Sequence, residues 1–295
     1  MGKAMGRSTS WIAAALIGAA LAGCATPQNA GPATGADRRA EISQSRQLVD
    51  ELRAREMINE DPRLNRYVRT VERRIARQRP QGAPPLQTFI LNDPSVNAFT
   101  TGGGYVFFNA GLLAAMENEA QFAMVYAHEV AHIDRGHVTA GRQQRQTVGL
   151  AGALASVGGA VLGVPPELTN MAVGLGSQAA VAGFTREQEE DADQIGFRYL
   201  SGAGYNAAEG ARSFRVLLDL YGDRGGFFAT HPQSSERLRT IQSLARAEGA
   251  NQGRIAQDEY LQETRRIRRE ALKFYEANGR TREAAQARRN LRAGR

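Results

Sequence analysis

Residues 120–134, Ala-Gln-Phe-Ala-Met-Val-Tyr-Ala-His-Glu-Val-Ala-His-Ile-Asp, constrain what this chain can fold into more than any other stretch. No proline or glycine interrupts them and good helix formers dominate, so they predict one helix. His128 and His132 are four residues apart and project from one face about one turn apart. Two imidazoles held that way can bind one Zn²⁺. Glu129 is rotated off the pair, where it can take a proton from a water activated by the metal instead of binding the metal itself. Three fixed positions recur by chance in many proteins, so context has to carry weight. Phe122, Met124, Val125, Val130 and Ile133 make the helix largely buried, and buried polar rings need partners. The chain has only four histidines, and two are spent here.

A third histidine ten residues after the first would complete one common zinc pattern, with a glycine seven after it. Those positions hold Val138 and Arg135. A glutamate on a later helix is the remaining standard option, giving a His₂Glu site with one open position. Residues 187–193 supply five carboxylates, Glu187, Glu189, Glu190, Asp191 and Asp193. A solvated acidic helix face is the default for such a cluster, although Ile195, Phe197 and Leu200 bury one side of it. Spacing does not choose among them, since Glu187/Asp191 and Glu189/Asp193 are both i,i+4 pairs.

The first residues are a targeting segment. Lys3 and Arg7 precede an apolar run over 11–21 that is too short to span a bilayer comfortably. It ends in Leu21-Ala22-Gly23-Cys24, which resembles a bacterial lipobox. That resemblance implies cleavage before Cys24 and its lipidation, and Ala25 implies export to the outer membrane. Cys24 is the only cysteine, so no internal disulfide is available. Residues 1–23 are thus expected as a lipoprotein signal peptide and 24–39 as a flexible, proline- and glycine-containing tether.

Charge is unevenly placed. The chain carries +7, of which +2 lies in the signal segment and +6 in residues 251–295, leaving −1 for 24–250. The central part has no basic stripe and no nucleic-acid motif, which argues against a nucleic-acid partner. Residues 40–250 are long enough for one domain with a sizeable core. Helices are expected over 40–57 and 62–78, strands over 86–91 and 105–109, and helical structure beyond 111. Gly102-Gly103-Gly104 lacks the Gly-Lys-Ser/Thr of a phosphate loop and predicts a tight turn or a close backbone approach. Residues 147–164 are uncharged and apolar but rich in glycine. They are expected as a buried helix or a cover over the site, with a membrane-dipping helix as the alternative. Residues 251–295 form a basic helical extension with room for about one helical pair. Leu261, Ile267, Ala271 and Phe274 give it an apolar stripe that should dock on the domain, with a solvated basic face outward.

Several motifs in fixed order resemble a known family. They are Asn97-Ala98-Phe99, Gly103-Gly104-Tyr105, Asn109-Ala110-Gly111-Leu112-Leu113, the His128–His132 motif with His137, the 186–196 segment, and Thr230-His231-Pro232 with Arg237. The chain is similar to the gluzincin metalloproteases grouped with HtpX and the CAAX prenyl proteases, and within them to the periplasmic lipoproteins of BepA and LoiP type. The resemblance implies an α+β, mainly helical, zincin-like domain with a small sheet. It implies one Zn²⁺ per chain on His128, His132 and Glu189, with Asp193 orienting a ligand histidine. His231 would lie near the open metal position, as an oxyanion stabiliser or a latch, and His137 would be structural. The helical repeats that follow the domain in BepA-type proteins have no room here.

Together these features predict a zinc endopeptidase anchored through Cys24 to the periplasmic face of the outer membrane, with Glu129 and His231 as catalytic residues. Gly103, Gly104 and Tyr105 would pair with an extended substrate through main-chain bonds. Unfolded or misassembled envelope proteins are the expected substrates, and outer-membrane assembly machinery is a further expected partner. The rival reading is a non-catalytic, chaperone-like assembly lipoprotein with a structural zinc. Against it, structural zinc sites favour cysteine, and Glu129 has no role in a closed site.

Overall fold

The computed structural model describes residues 35–141, 184–222, 225–232, 235–247 and 249–294. Cys24, the signal segment and the 147–164 run lie outside the described residues. Among the described residues no helix is long and apolar enough to cross a membrane.

The chain opens with α1 (Gly35–Ala54), which starts inside the segment expected as a tether. Glu41, Ser45, Val49 and Leu52 recur on one face, and that face is the buried one. α2 (Pro62–Ala76) starts where Asp61 accepts from the Arg63 and Leu64 amides and Pro62 supplies a preset first turn. It buries Leu64, Tyr67, Val68, Val71 and Ile75.

Three short strands follow, β1 (Gln87–Leu91), β2 (Ala98–Gly102) and β3 (Tyr105–Asn109). Their order is β1-β3-β2, with β1 parallel and β2 antiparallel to β3. β3 is therefore central, and all five of its residues are buried. Phe89, Phe99 and Phe107 stack across one face of the sheet, and Phe108 packs on Phe122 and Tyr126 on the other.

α3 (Ala110–Ala115) leads into α4 (Glu119–Asp134), the helix predicted from the histidine motif. Asn118 caps α4, accepting from the Gln121 amide. Every residue from Glu119 to Ile133 is buried, so α4 is the axis of the molecule, wrapped on all sides. α5 (Arg186–Gly202) begins with a reciprocal Thr185/Gln188 capping box. α6 (Ala207–Tyr221), a 3₁₀ turn (Gly226–Ala229) and α7 (Ser235–Ala245) complete the shell around α4.

The C-terminal segment holds three helices, α8 (Gln257–Glu263), α9 (Arg265–Ala277) and α10 (Thr281–Ala293), where one pair was expected. It docks through Leu261, Ile267 and Ala271 of the expected stripe, which are buried, whereas Phe274 is left exposed. Tyr260, Leu261 and Ile267 join the main core. The end of α3 presents carbonyls with no helical partner. Tyr260 donates to Leu113 O, buried Arg268 to Ala114 O and Met116 O, and Asn290 to all three of Ala114 O, Ala115 O and Met116 O. One arginine of the basic tail is therefore an internal cap and not part of a solvated face. A mainly helical α+β fold around a buried histidine helix is the zincin-like arrangement the sequence implied.

Candidate metal centre and active site

Local structure brings four donors together. His128 and His132 leave the same face of α4, with Nε2 atoms 3.1 Å apart. α5 crosses α4 where Gly196 faces His128. A Cβ there would lie 3.0 Å from the His128 amide nitrogen and 3.1 Å from its Cα, so only glycine allows this approach without displacement. The close crossing carries Glu189, about two turns earlier on α5, to the histidines. Its Oε2 is 3.4 Å from His128 Nε2 and its Oε1 is 3.5 Å from His132 Nε2. His231 arrives on the 3₁₀ turn. Its amide donates to Phe227 O, and its ring stacks on Phe227 at 4.2 Å. His231 Nδ1 then lies 3.0 Å from Glu189 Oε1 and 3.3 Å from His128 Nε2.

These four residues are fully buried, and one donor atom from each falls within 4.8 Å of every other. Tetrahedral donors at roughly 2.0–2.1 Å from one zinc stand about 3.3–3.4 Å apart. Contacts of 3.0 to 3.5 Å link most of these donors, through both Glu189 oxygens, and one donor atom from each of the four lies within 4.8 Å of the others, so the set fits that ion in chemistry and encloses a space of its scale.

Glu129 is also fully buried, and neither carboxylate oxygen has a hydrogen-bond partner among the described residues. His231 Nε2 lies 3.3 Å from its Oε1. Burial pushes the Glu129 carboxyl up, against the pull of His231 and His128. Burial acts the same way on Glu189, but the three histidines outweigh it and hold that carboxyl well below its ordinary range. Two neighbouring carboxylates are thus driven in opposite directions by their surroundings.

Asp193 stands 3.0 Å from His128 Nδ1 on the side away from the cluster. Arg237, fully buried, grips Asp193 through Nε at 2.7 Å and Nη2 at 2.9 Å, and its Nη1 is 2.7 Å from Glu189 Oε2. It also donates to Pro232 O at 2.8 Å. The sequence reading used Arg237 only to fix the register of the His231 motif and missed this role. The available signal was charge: two carboxylates on the buried side of α5 require a buried cation. Phe184, which stacks on His132 at 3.7 Å, carried no signal at all. His137 packs behind His132, and its Nδ1 is 2.9 Å from His132 Nδ1.

The strand expected to meet substrate lies inside the sheet. β3 has β1 on one side and β2 on the other, so Tyr105 has no free main-chain edge. Gly103 and Gly104 form the β2–β3 turn at positive φ, pressed against Ile42 and Pro85 O. The Gly103 amide donates to Glu41, whose other oxygen accepts from Thr139 just beyond His137. The glycines let α1 close on the turn. Among the described residues both outer strands keep an edge, and that of β1 is partly taken by the Ile58–Leu91 bridge, which leaves β2 as the more open one.

A family model described as Peptidase family M48 matches residues 62–245. The chain is 26% identical over 245 residues to the beta-barrel assembly-enhancing protease of Escherichia coli, covering 79% of this chain and 50% of that protein. It is 28% identical over 202 residues to a putative beta-barrel assembly-enhancing protease of Vibrio cholerae, covering 66% and 42%. Against the metalloprotease LoiP of Escherichia coli it is 31% identical over 168 residues, covering 56% and 65%. The chain spans about half the length of the assembly-enhancing proteases it matches. The family match covers more than half of the chain and includes all four donors of the buried cluster, and on that ground the chain belongs to the zinc-dependent peptidase family M48.

Proposed function

We propose that this protein is a zinc endopeptidase acting on misfolded or misassembled envelope proteins. The observation that carries the proposal is the buried Glu129 carboxylate, which accepts no hydrogen bond among the described residues and stands beside the four-donor cluster. An unsatisfied buried charge is costly, and a catalytic role is one of the few reasons a fold retains it. His128, His132 and Glu189 hold the ion. The chemistry a bound zinc supplies is polarisation of a scissile carbonyl and acidification of a water. Glu129, beside the donor cluster, would serve as the general base and hand a proton on to the leaving amine. Asp193 orients His128, and Arg237 offsets the negative charge of Asp193 and Glu189. His231 Nδ1 completes a four-donor set, which supports the latch over the oxyanion role. Displacing that ring would open one position for substrate. The unpaired side of β2 offers main-chain groups to an extended peptide.

Two of the relatives are named as beta-barrel assembly-enhancing proteases, which supports envelope proteins as substrates and barrel-assembly machinery as a partner. The Leu21–Cys24 motif supports lipid anchoring to the periplasmic face of the outer membrane.

The test is cleavage of casein by the full chain and by Glu129→Gln at matched zinc content. The expected loss is about 10²–10⁴-fold. His231→Ala should raise the rate if the ring is a latch and lower it if the ring stabilises the oxyanion. Equal envelope assembly by wild type and Glu129→Gln, with cleavage by neither, would overturn the protease in favour of a non-catalytic assembly lipoprotein. In the same cells Cys24→Ser should move the protein out of the outer-membrane fraction, and retention there would refute the lipid anchor.

A further inference from the structure

The two histidines of α4 are supported differently on their outer sides. His128 Nδ1 faces a carboxylate directly, Asp193 Oδ1 at 3.0 Å. His132 Nδ1 faces a third imidazole, His137 Nδ1 at 2.9 Å. Helical periodicity sets His137 well off the ligand face, but the helix does not continue to it. α4 ends at Asp134, and Gly136 at φ +69° folds the next residues back over the helix end. His137 is buried there, its ring centroid 5.0 Å from that of His132.

The direction of each hydrogen bond follows from His132. An imidazole that offers its Nε2 lone pair to the cluster carries its proton on Nδ1. His132 Nδ1 is then the donor and His137 Nδ1 the acceptor. His137 must carry its own proton on Nε2, which faces Asp191 Oδ2 at 3.3 Å. That same oxygen accepts from Arg135 Nε at 2.5 Å. The chain runs from His132 through His137 to Asp191, with Arg135 holding its far end. Along α5, Glu189 enters the cluster, Asp193 supports His128, and Asp191 supports His132 at one remove.

We propose that His137 is a positioning residue that fixes the tautomer and ring orientation of His132 and so sets how tightly the centre holds its metal. The proposal rests on the reading of His128, His132 and Glu189 as ligands. Groups that orient a ligand histidine typically contribute 10–100-fold in metal affinity.

The test compares four variants of the full chain, His137→Gln, His137→Phe, Asp191→Ala and His128→Ala. Zinc affinity is measured by chelator competition, and the electronic spectrum is recorded after cobalt substitution. His137→Phe fills the space without accepting a hydrogen bond and should weaken zinc about 10–100-fold and shift the cobalt bands. His137→Gln retains an acceptor and should recover most of that loss. Asp191→Ala leaves the ring in place and should weaken zinc in the same direction, which keeps the test open if His137→Phe does not fold. Wild-type affinity and spectrum in both His137→Phe and Asp191→Ala would overturn the proposal while leaving the ligand reading intact. So would a His137→Gln variant as weak as His137→Phe at equal thermal stability. Wild type and His128→Ala binding zinc alike would overturn the ligand reading and this proposal together.

Discussion

Five carboxylates crowd the start of α5, and burial distinguishes their fates. Glu187 is exposed, Glu190 and Asp191 are half-buried, and Glu189 and Asp193 are fully enclosed. Glu189→Ala should therefore lower zinc occupancy far more than Glu187→Ala or Glu190→Ala, as measured by metal analysis of the purified full chain. Equal occupancy in all three would remove Glu189 from the ligand set. Sequence alone left this choice open because i,i+4 pairs recur within the cluster. What selects Glu189 is the angle and closeness at which α5 meets α4, a property of tertiary packing. Arg237 was hidden for the same reason, since its partners lie 44 and 48 residues away along the chain. His128, Glu129 and His132 were legible because their geometry is set within one helix.

At the scale of elements, the α4–α5 crossing is the critical joint. Alanine is favoured over glycine inside helices by about 1 kcal/mol. At Gly196 a Cβ would meet the α4 backbone at 3.0–3.2 Å, and backbone cannot step aside. Gly196→Ala should thus destabilise the fold by about 1–3 kcal/mol, and weaken zinc binding as Glu189 moves away. Gly202→Ala is the control, since its Cβ would meet only the flexible end of Gln78. Chemical denaturation of both variants checks the contrast, and a Gly196→Ala variant as stable as wild type would show that the helices separate freely. The hydrophobic patterns identified helices and strands well, but strand order is set by non-local pairing. The sequence placed Tyr105–Asn109 correctly as a strand and gave no sign that it is the central one.

For the molecule as a whole, one buried knot fastens distant segments to the start of α4. Glu119 accepts from Tyr67 at 2.5 Å and Tyr205 at 2.8 Å, and Arg254 reaches it through Nε at 2.7 Å. Burial raises the Glu119 carboxyl, but the hydrogen bonds from Arg254, Tyr67 and Tyr205 outweigh it and hold it below its ordinary value. The unfolded chain binds this proton first as acid is added. The stabilisation is therefore complete above about pH 4.5 and is lost as pH falls through the folded value. Glu119→Gln should cost about 3 kcal/mol at pH 7, and flatten the decline of thermal stability below about pH 4.5. An unchanged acid limb in the variant would show that other carboxylates govern it.

The enclosure of α4 has a kinetic consequence. Its amides have protein on every side, so they exchange with solvent deuterium only when the whole domain opens. The segment around residues 225–232 is a short turn at the rim, with partly exposed residues on either side of His231. Its amides should exchange through local opening instead, the His231 amide, bonded to Phe227 O, last among them. The centre thus joins a helix that opens only with the whole domain, carrying His128, Glu129 and His132, to a short turn, carrying His231, that can open alone.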